Sequence, residues 1–215
     1  MEYNVKEFIR MLQEENTLHN LVSRRSFDQE VDKHIEDSLI MLKEINWDGK
    51  RVIDIGSGAG FPALILALEC PETEFTLLEA DLKKSSFLEK VKEQLALANV
   101  SVLRQRAEEV GHDPKYRESF DICTARAVAN MNILLEYGLP LLKKGGSLML
   151  WKGRNYQEEV KAAGSAFDIL GGTVQQILSY NLLDERDRVI VICQKDQATP
   201  DKYPRRVGIP SKRPL

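Results

Sequence analysis

Arg51 to Leu68 reads RVIDIGSGAGFPALILAL, a short apolar strand that runs into Gly56, Gly58 and Gly60 and then directly into an apolar helical run. A turn of this kind leaves a chain few options. Glycine lets the backbone turn tightly and approach a ligand with no Cβ in the way. The next apolar strand, Phe75 to Leu78, ends on Glu79, 23 residues after Gly56. A carboxylate at the tip of the second strand is placed to accept hydrogen bonds from the two hydroxyls of a ribose. Together these features predict a ribose-bearing cofactor across the carboxyl ends of adjacent parallel strands.

The glycine spacing and one acid choose among such cofactors. A dinucleotide site uses G-x-G-x-x-G, with a helix N-terminus aimed at pyrophosphate. Here the spacing is G-x-G-x-G, and Phe61 stands where the third glycine would be. Asp54 lies two residues before the first glycine, where an anion repels a pyrophosphate but attracts a cation. S-adenosylmethionine carries a sulfonium and an ammonium and no phosphate, so the charges fit it better. A dinucleotide, or a glycine turn that holds no ligand, are the alternatives.

At 215 residues, with 43% of them hydrophobic, one substantial α/β domain with a modest extension is expected. The longest apolar run, Phe61 to Leu68, falls far short of the roughly 20 residues of a membrane span. The charged N-terminus lacks the apolar core of a signal peptide. A cytoplasmic protein with no membrane partner is expected. Cys70, Cys123 and Cys193 show no metal-ligand spacing, and His19, His34 and His112 are scattered, so no metal site is expected. The net charge of −3 hides an asymmetry: residues 195–215 carry +4 and the rest −7. Four of the eight prolines lie in that tail. An acidic body with a basic, proline-stiffened tail suggests local contact with a polyanion.

Periodicity predicts helices over residues 4–19 and from about Asp28 to Ile45, a cap preceding the first strand. Strands near 51–55, 75–79, 100–103, 120–124 and 146–151 then alternate with helices near 61–69, 83–97, 130–137 and 155–169. That alternation predicts a doubly wound α/β sheet, Rossmann-like and parallel. Thr173 to Tyr180 and Arg188 to Gln194 flank a charged turn, NLLDERD, so the sheet should close with an antiparallel hairpin. Three regions follow: a helical cap over 1–47, a cofactor-binding domain over 48–195, and a basic tail over 196–215 packed on that domain.

A parallel sheet closed by a hairpin is the layout of class I methyltransferases. DIGSGAGFP, LLEADLKKSSFL, RQRAEEV from Arg104, TARAVA from Thr124, LWKGR from Leu150 and the closing KYPRRVGIPSKRPL resemble the bacterial glucose-inhibited division protein B family. The likeness runs from the H-x-x-D-S-L element at His34 to Leu39 through the last residue. It implies a 16S ribosomal RNA guanine-N7 methyltransferase that uses S-adenosylmethionine, acts on 16S rRNA or the small ribosomal subunit, and works as a monomer. Two departures stand out: HNLVSRR precedes the second helix where the family usually has I-N-L-T-A, and Ala63 follows Phe61-Pro62 in place of glycine.

Within that framework, Asp54, Gly56 and Gly58 are assigned to the methionyl part of the cofactor and Phe61 to an apolar wall. Glu79 takes the ribose hydroxyls, with Ala80 and Asp81 lining its loop. Ala107 and Glu108 sit at the adenine edge, where Glu108 accepts from the exocyclic amine. Arg126, directly after the fourth strand, is assigned to the cofactor carboxylate or the rRNA phosphate, the alternative being an ion pair with Asp121 or a helix carboxylate. Lys152 and Arg154 follow the fifth strand and point into the crevice. Arg126 and Lys152 are the candidate catalytic residues, acting by position. Arg154, Arg205, Arg206, Lys212 and Arg213, with Lys152, are the candidate RNA contacts, and neutralising Arg205 and Arg206 is expected to spare cofactor affinity. No N-P-P-[YF] tetrad follows the fourth strand and Cys123 lies inside it. Both facts permit a guanine N7 acceptor. A small-molecule methyltransferase that does not need the tail, or a non-catalytic assembly factor, remain as other classes.

Overall fold

The computed structural model describes residues 2–19, 21–22, 27–182 and 187–215. The chain opens with helices α1 (Glu2–Leu18) and α2 (Phe27–Leu39), the latter extended by a 3-10 turn over Ile40–Lys43. Then come β1 (Arg51–Ile55), α3 (Ala63–Glu69), β2 (Glu74–Leu78), α4 (Leu82–Gln94), β3 (Val100–Leu103), the short α5 (Ala107–Val110) and β4 (Phe120–Arg126). The second half holds α6 (Met131–Gly138), β5 (Leu142–Lys152), α7 (Tyr156–Ala162), α8 (Gly164–Leu170), β6 (Gly172–Asn181), β7 (Asp187–Lys195) and α9 (Ile209–Lys212).

The seven strands form one sheet in the order β3-β2-β1-β4-β5-β7-β6. The first five are parallel, and β7 runs antiparallel to both β5 and β6. Central strands are covered on both faces, so they read as continuous apolar runs. Alternate side chains divide between two cores. Val52, Phe75, Leu77, Met149 and Ile192 join Phe8, Leu12, Phe87 and α3 on one face. Ile53, Ile55, Leu148, Leu150 and Val191 join α6 and α8 on the other. The N-terminal helices therefore share the first core: the rings of Phe8 and Phe61 meet edge to face at 5.6 Å. The edge strand β6 is largely polar and exposed and carries a register shift between Val174 and Gln176, both features that discourage further strand pairing.

Two sequence expectations change. The helix expected over 155–169 is two helices, because the chain bends at Ala163, whose N–H is shared between Glu159 and Val160 carbonyls, before side-chain-free Gly164. The fifth strand begins at Leu142 rather than 146, since Gly145 adopts a φ of +82° that lets the strand kink and continue. The C-terminal tail packs on the second core through Tyr203 and Leu215 and carries the short α9. Within HNLVSRR, Asn20 and residues 23–25 lie outside the described residues, as do residues 183–186 of the NLLDERD turn.

The strand order reverses between β1 and β4. In open parallel sheets that reversal opens a crevice at the strands' carboxyl ends, and ligands bind there.

Candidate active site

The glycine turn is built by positive φ angles at Gly56 (+69°), Gly58 (+56°) and Gly60 (+102°). Gly56 and Ser57 both donate backbone N–H groups to the Leu78 carbonyl, at 2.8 and 3.2 Å, which ties the turn to the end of β2. A Cβ on Gly56 would lie 2.7 Å from Val128 Cγ2, so the loop after β4 is seated directly on this glycine. Glu79 closes the arrangement. Its Oε2 accepts from Gly58 N–H at 2.9 Å and its Oε1 from Asp81 N–H at 2.8 Å. Each oxygen keeps lone-pair capacity for a further donor.

Beneath the turn, Asp54 is fully buried. Its Oδ1 accepts from Thr124 Oγ1 at 2.6 Å, whereas its Oδ2 has no hydrogen-bond partner among the described residues. Burial outweighs the Thr124 hydrogen bond and pushes this carboxyl up to about 7. An orphaned buried oxygen beside a glycine turn suits a ligand that brings a donor or a cation.

A cavity of about 500 Å³ opens above the turn, lined by Gly56, Glu79, Ala80, Ala107, Glu108 and Tyr137 among others, with Asp54 behind this lining. It brings together five residues assigned to the cofactor from sequence. The Glu108 Oε1 accepts from Tyr137 Oη at 3.2 Å and from Gly208 N–H at 3.0 Å. Val207, Gly208 and Ser211 of the tail form part of the wall. Other assigned residues lie elsewhere. Phe61 is buried between Phe8, His34 and the Arg126 guanidinium. Asp81 is exposed and caps α4, accepting from Lys83 and Lys84 N–H groups at 2.9 and 3.0 Å. Gly58 shapes the turn, and Arg126 faces away.

Arg126 lines a second cavity of about 470 Å³ with His34, Asp37, Trp151, Lys152, Glu159, Tyr180 and Arg188. The two cavities share Ala127 and Val128; Ala127 holds a φ of +56°, rare for a residue with a Cβ. Arg126 Nη1 donates to Asp37 Oδ2 at 2.7 Å, both side chains being nearly buried. The helix-carboxylate alternative foreseen for Arg126 is therefore the one the structure adopts. Tyr180 Oη donates to Asp37 Oδ1, and Trp151 Nε1 to the Asp37 carbonyl at 3.0 Å. Burial pushes the Tyr180 phenol up, while burial and Arg126 hold His34 near 4. Lys152 Nζ donates to Ala129 O at 2.9 Å and Glu159 Oε2 at 2.6 Å, and Met131 N–H donates to the same Glu159 oxygen.

The tail gives one assigned RNA contact a partner inside the protein. Arg205 donates through Nε, Nη2 and its backbone N–H to Glu136, whose side chain is fully buried. That guanidinium anchors the tail to Glu136 through Nε and Nη2. Because the same tail walls the first cavity, neutralising Arg205 is no longer expected to spare cofactor affinity. Arg154, Arg206, Lys212 and Arg213 are exposed. Sequence reasoning missed Asp37, although it lies in the H-x-x-D-S-L element. It also missed Tyr137, Tyr180 and Arg188, which no local pattern joins to the glycine turn.

A sheet that reverses order beside a glycine turn, with a buried carboxylate at the second strand tip, defines a class I S-adenosylmethionine-dependent methyltransferase. Solved structures share this fold. A SAM-dependent methyltransferase from Aquifex aeolicus superposes with a TM-score of 0.56 at 19% identity, covering 73% of this chain and 89% of that one. TYW2 of M. jannaschii, in complex with AdoMet, gives 0.59 at 14% identity, covering 76% of each. Residues 1–189 match the GidB family model, rRNA small subunit methyltransferase G, and the chain belongs to that family. The ribosomal RNA small subunit methyltransferase G of Syntrophomonas wolfei is 60% identical over the full length of both chains. That of Thermotoga neapolitana is 42% identical over 93% of this chain and 86% of its own.

Proposed function

We propose that this chain transfers the methyl group of S-adenosylmethionine to N7 of a guanine in 16S ribosomal RNA, acting as a cytoplasmic monomer on the RNA or the small subunit. The observation that carries the reading is the meeting of two cavities at Ala127 and Val128 in a chain of this family. One cavity has the acids a nucleoside with cationic groups requires, and the other is large enough for an extruded base. Glu79 is assigned to the ribose, Glu108 to the adenine amine through its second oxygen, and Asp54 to the cationic side. Bound S-adenosylmethionine supplies a methyl group on a positively charged sulfur. Guanine N7 is unprotonated at neutral pH and presents its own lone pair, so no side chain need remove a proton. What remains for the protein is alignment and exclusion of water. Arg126, fixed by Asp37, and Lys152, fixed by Glu159 and Ala129 O, hold charge at defined places beside the acceptor. Arg154, Arg206, Lys212 and Arg213 are the proposed phosphate contacts.

The test is chemical mapping of 16S rRNA from a strain lacking this chain. Reduction and aniline cleavage should reveal one 7-methylguanosine site in the parent that disappears in the deletion and returns when purified protein and S-adenosylmethionine are added. Unchanged cleavage in the deletion would refute the reading.

A further inference from the structure

We propose that Glu159 and Lys152 together identify the acceptor as guanine, with the Glu159 carboxylate accepting from N1–H and the 2-amino group. This rests on the function proposed above and assigns the second cavity its base-reading groups. A base whose N7 meets the cofactor must face the Ala127–Val128 boundary with that atom. Its O6 then lies beside that boundary, where Ala129 O holds Lys152 Nζ, and N1 and the 2-amino group follow along the same edge towards Glu159. Enzymes that act on an extruded base read it through hydrogen bonds to this Watson–Crick edge. In guanine the edge runs acceptor, donor, donor; in adenine the first two positions are donor and acceptor.

Two carboxylates line the cavity. Asp37 has both oxygens engaged, Oδ1 by Tyr180 and Oδ2 by Arg126. Glu159 is different. Its Oε2 takes both Lys152 Nζ and Met131 N–H, which fix the carboxylate, and its Oε1 makes no hydrogen bond among the described residues. The side chain is 25% exposed, against 8% for Asp37, so an incoming base reaches it. Lys152 completes the pattern. An ammonium has three donors, of which one goes to Ala129 O and one to Glu159. The third is left for O6. A donor beside an acceptor matches O6 and N1–H of guanine and opposes both N6 and N1 of adenine. The three-way contact also braces α6 and α7 against the end of β5, so a test must separate reading from bracing.

The experiment measures single-turnover methylation of small subunits rebuilt with 16S rRNA carrying guanosine or inosine at the target position. Inosine lacks only the 2-amino group. Wild-type protein should prefer guanosine by about 10–100-fold, the range expected for a hydrogen bond to a charged acceptor. Glu159→Ala should lower both rates and bring their ratio to within about threefold of one. Glu159→Gln keeps an oxygen for the brace and turns an amide NH2 toward the base, so its ratio should fall as far or invert. Calorimetric binding of S-adenosylmethionine should be retained in both variants, which shows that they fold. A variant that binds cofactor and keeps the wild-type ratio overturns the assignment, as does a wild-type enzyme indifferent to the 2-amino group. Absence of 7-methylguanosine from the wild-type reaction would instead refute the proposed function itself.

Discussion

At the scale of single residues, the site combines groups whose charge state and backbone conformation are costly without a ligand. Asp54 titrates near 7 because burial disfavours its anion. Between about pH 4 and 7 the folded chain therefore holds a proton there that the unfolded chain has released, so this residue's contribution to stability falls as pH rises through that window. A cationic ligand favours the anion. S-adenosylmethionine affinity should accordingly rise between about pH 5.5 and 7, by up to about tenfold per unit, and Asp54→Asn should flatten both trends. Calorimetry across that range decides it, and a flat wild-type affinity would separate Asp54 from the cofactor. The glycines give a second contrast. Gly58 has a positive φ but nothing nearer than 3.7 Å to an added Cβ, whereas Gly56 adds a 2.7 Å approach to Val128. Gly58→Ala should cost only the backbone term, about 1 kcal/mol. Gly56→Ala should cost about 1–3 kcal/mol more through displaced packing and weaken cofactor binding. Urea denaturation of the two variants makes the comparison.

At the scale of elements, the basic tail has changed its meaning. Composition marked residues 196–215 as a phosphate-binding extension, and periodicity had no means of showing that Arg205 meets Glu136 or that Gly208 meets Glu108. Such contacts join residues 69 and 100 positions apart. The glycine turn, Glu79 and the strand sequence were legible because each is a local pattern tied to one backbone geometry. The second cavity was only half legible: Arg126 and Lys152, expected just after strands, are the last residues of β4 and β5, but their partners come from α2, α7 and the hairpin. One consequence is that deleting the tail no longer separates a small-molecule enzyme from an RNA enzyme, since either would lose a cofactor wall. Arg205→Met should destabilise the protein by about 3–5 kcal/mol, the cost of leaving a buried carboxylate without its counter-charge, and reduce S-adenosylmethionine affinity. Adding Glu136→Met should recover most of both. Failure of the double variant to recover would mean that Arg205 acts through something other than Glu136.

At the scale of the whole molecule, charge and chemistry are divided between binding and turnover. The body is acidic, whereas Lys83, Arg104 and Arg106, just beyond the carboxyl ends of β2 and β3, and Arg206, Lys212 and Arg213 of the tail are exposed cations. Neutralising Arg206, Lys212 and Arg213 together should reduce the salt slope of RNA binding by about 2, at roughly 0.7–0.9 per lost phosphate contact. Turnover should follow a different rule. Asp54 titrates near 7 but acts on cofactor binding, so saturation with S-adenosylmethionine removes its influence. His34 is held near 4 and stays neutral throughout the working range, and Tyr180 is pushed in the opposite direction. With N7 presenting a lone pair and no proton, the transfer itself requires no base. Single-turnover rate at saturating cofactor and RNA should then vary little between about pH 6.5 and 8.5, whereas a required general base would give up to tenfold per unit below its pKa. Arg126→Met should lower that rate by loss of alignment without bending the profile. A steep profile that one substitution abolishes would place a proton transfer in the reaction and remove N7 as the acceptor atom.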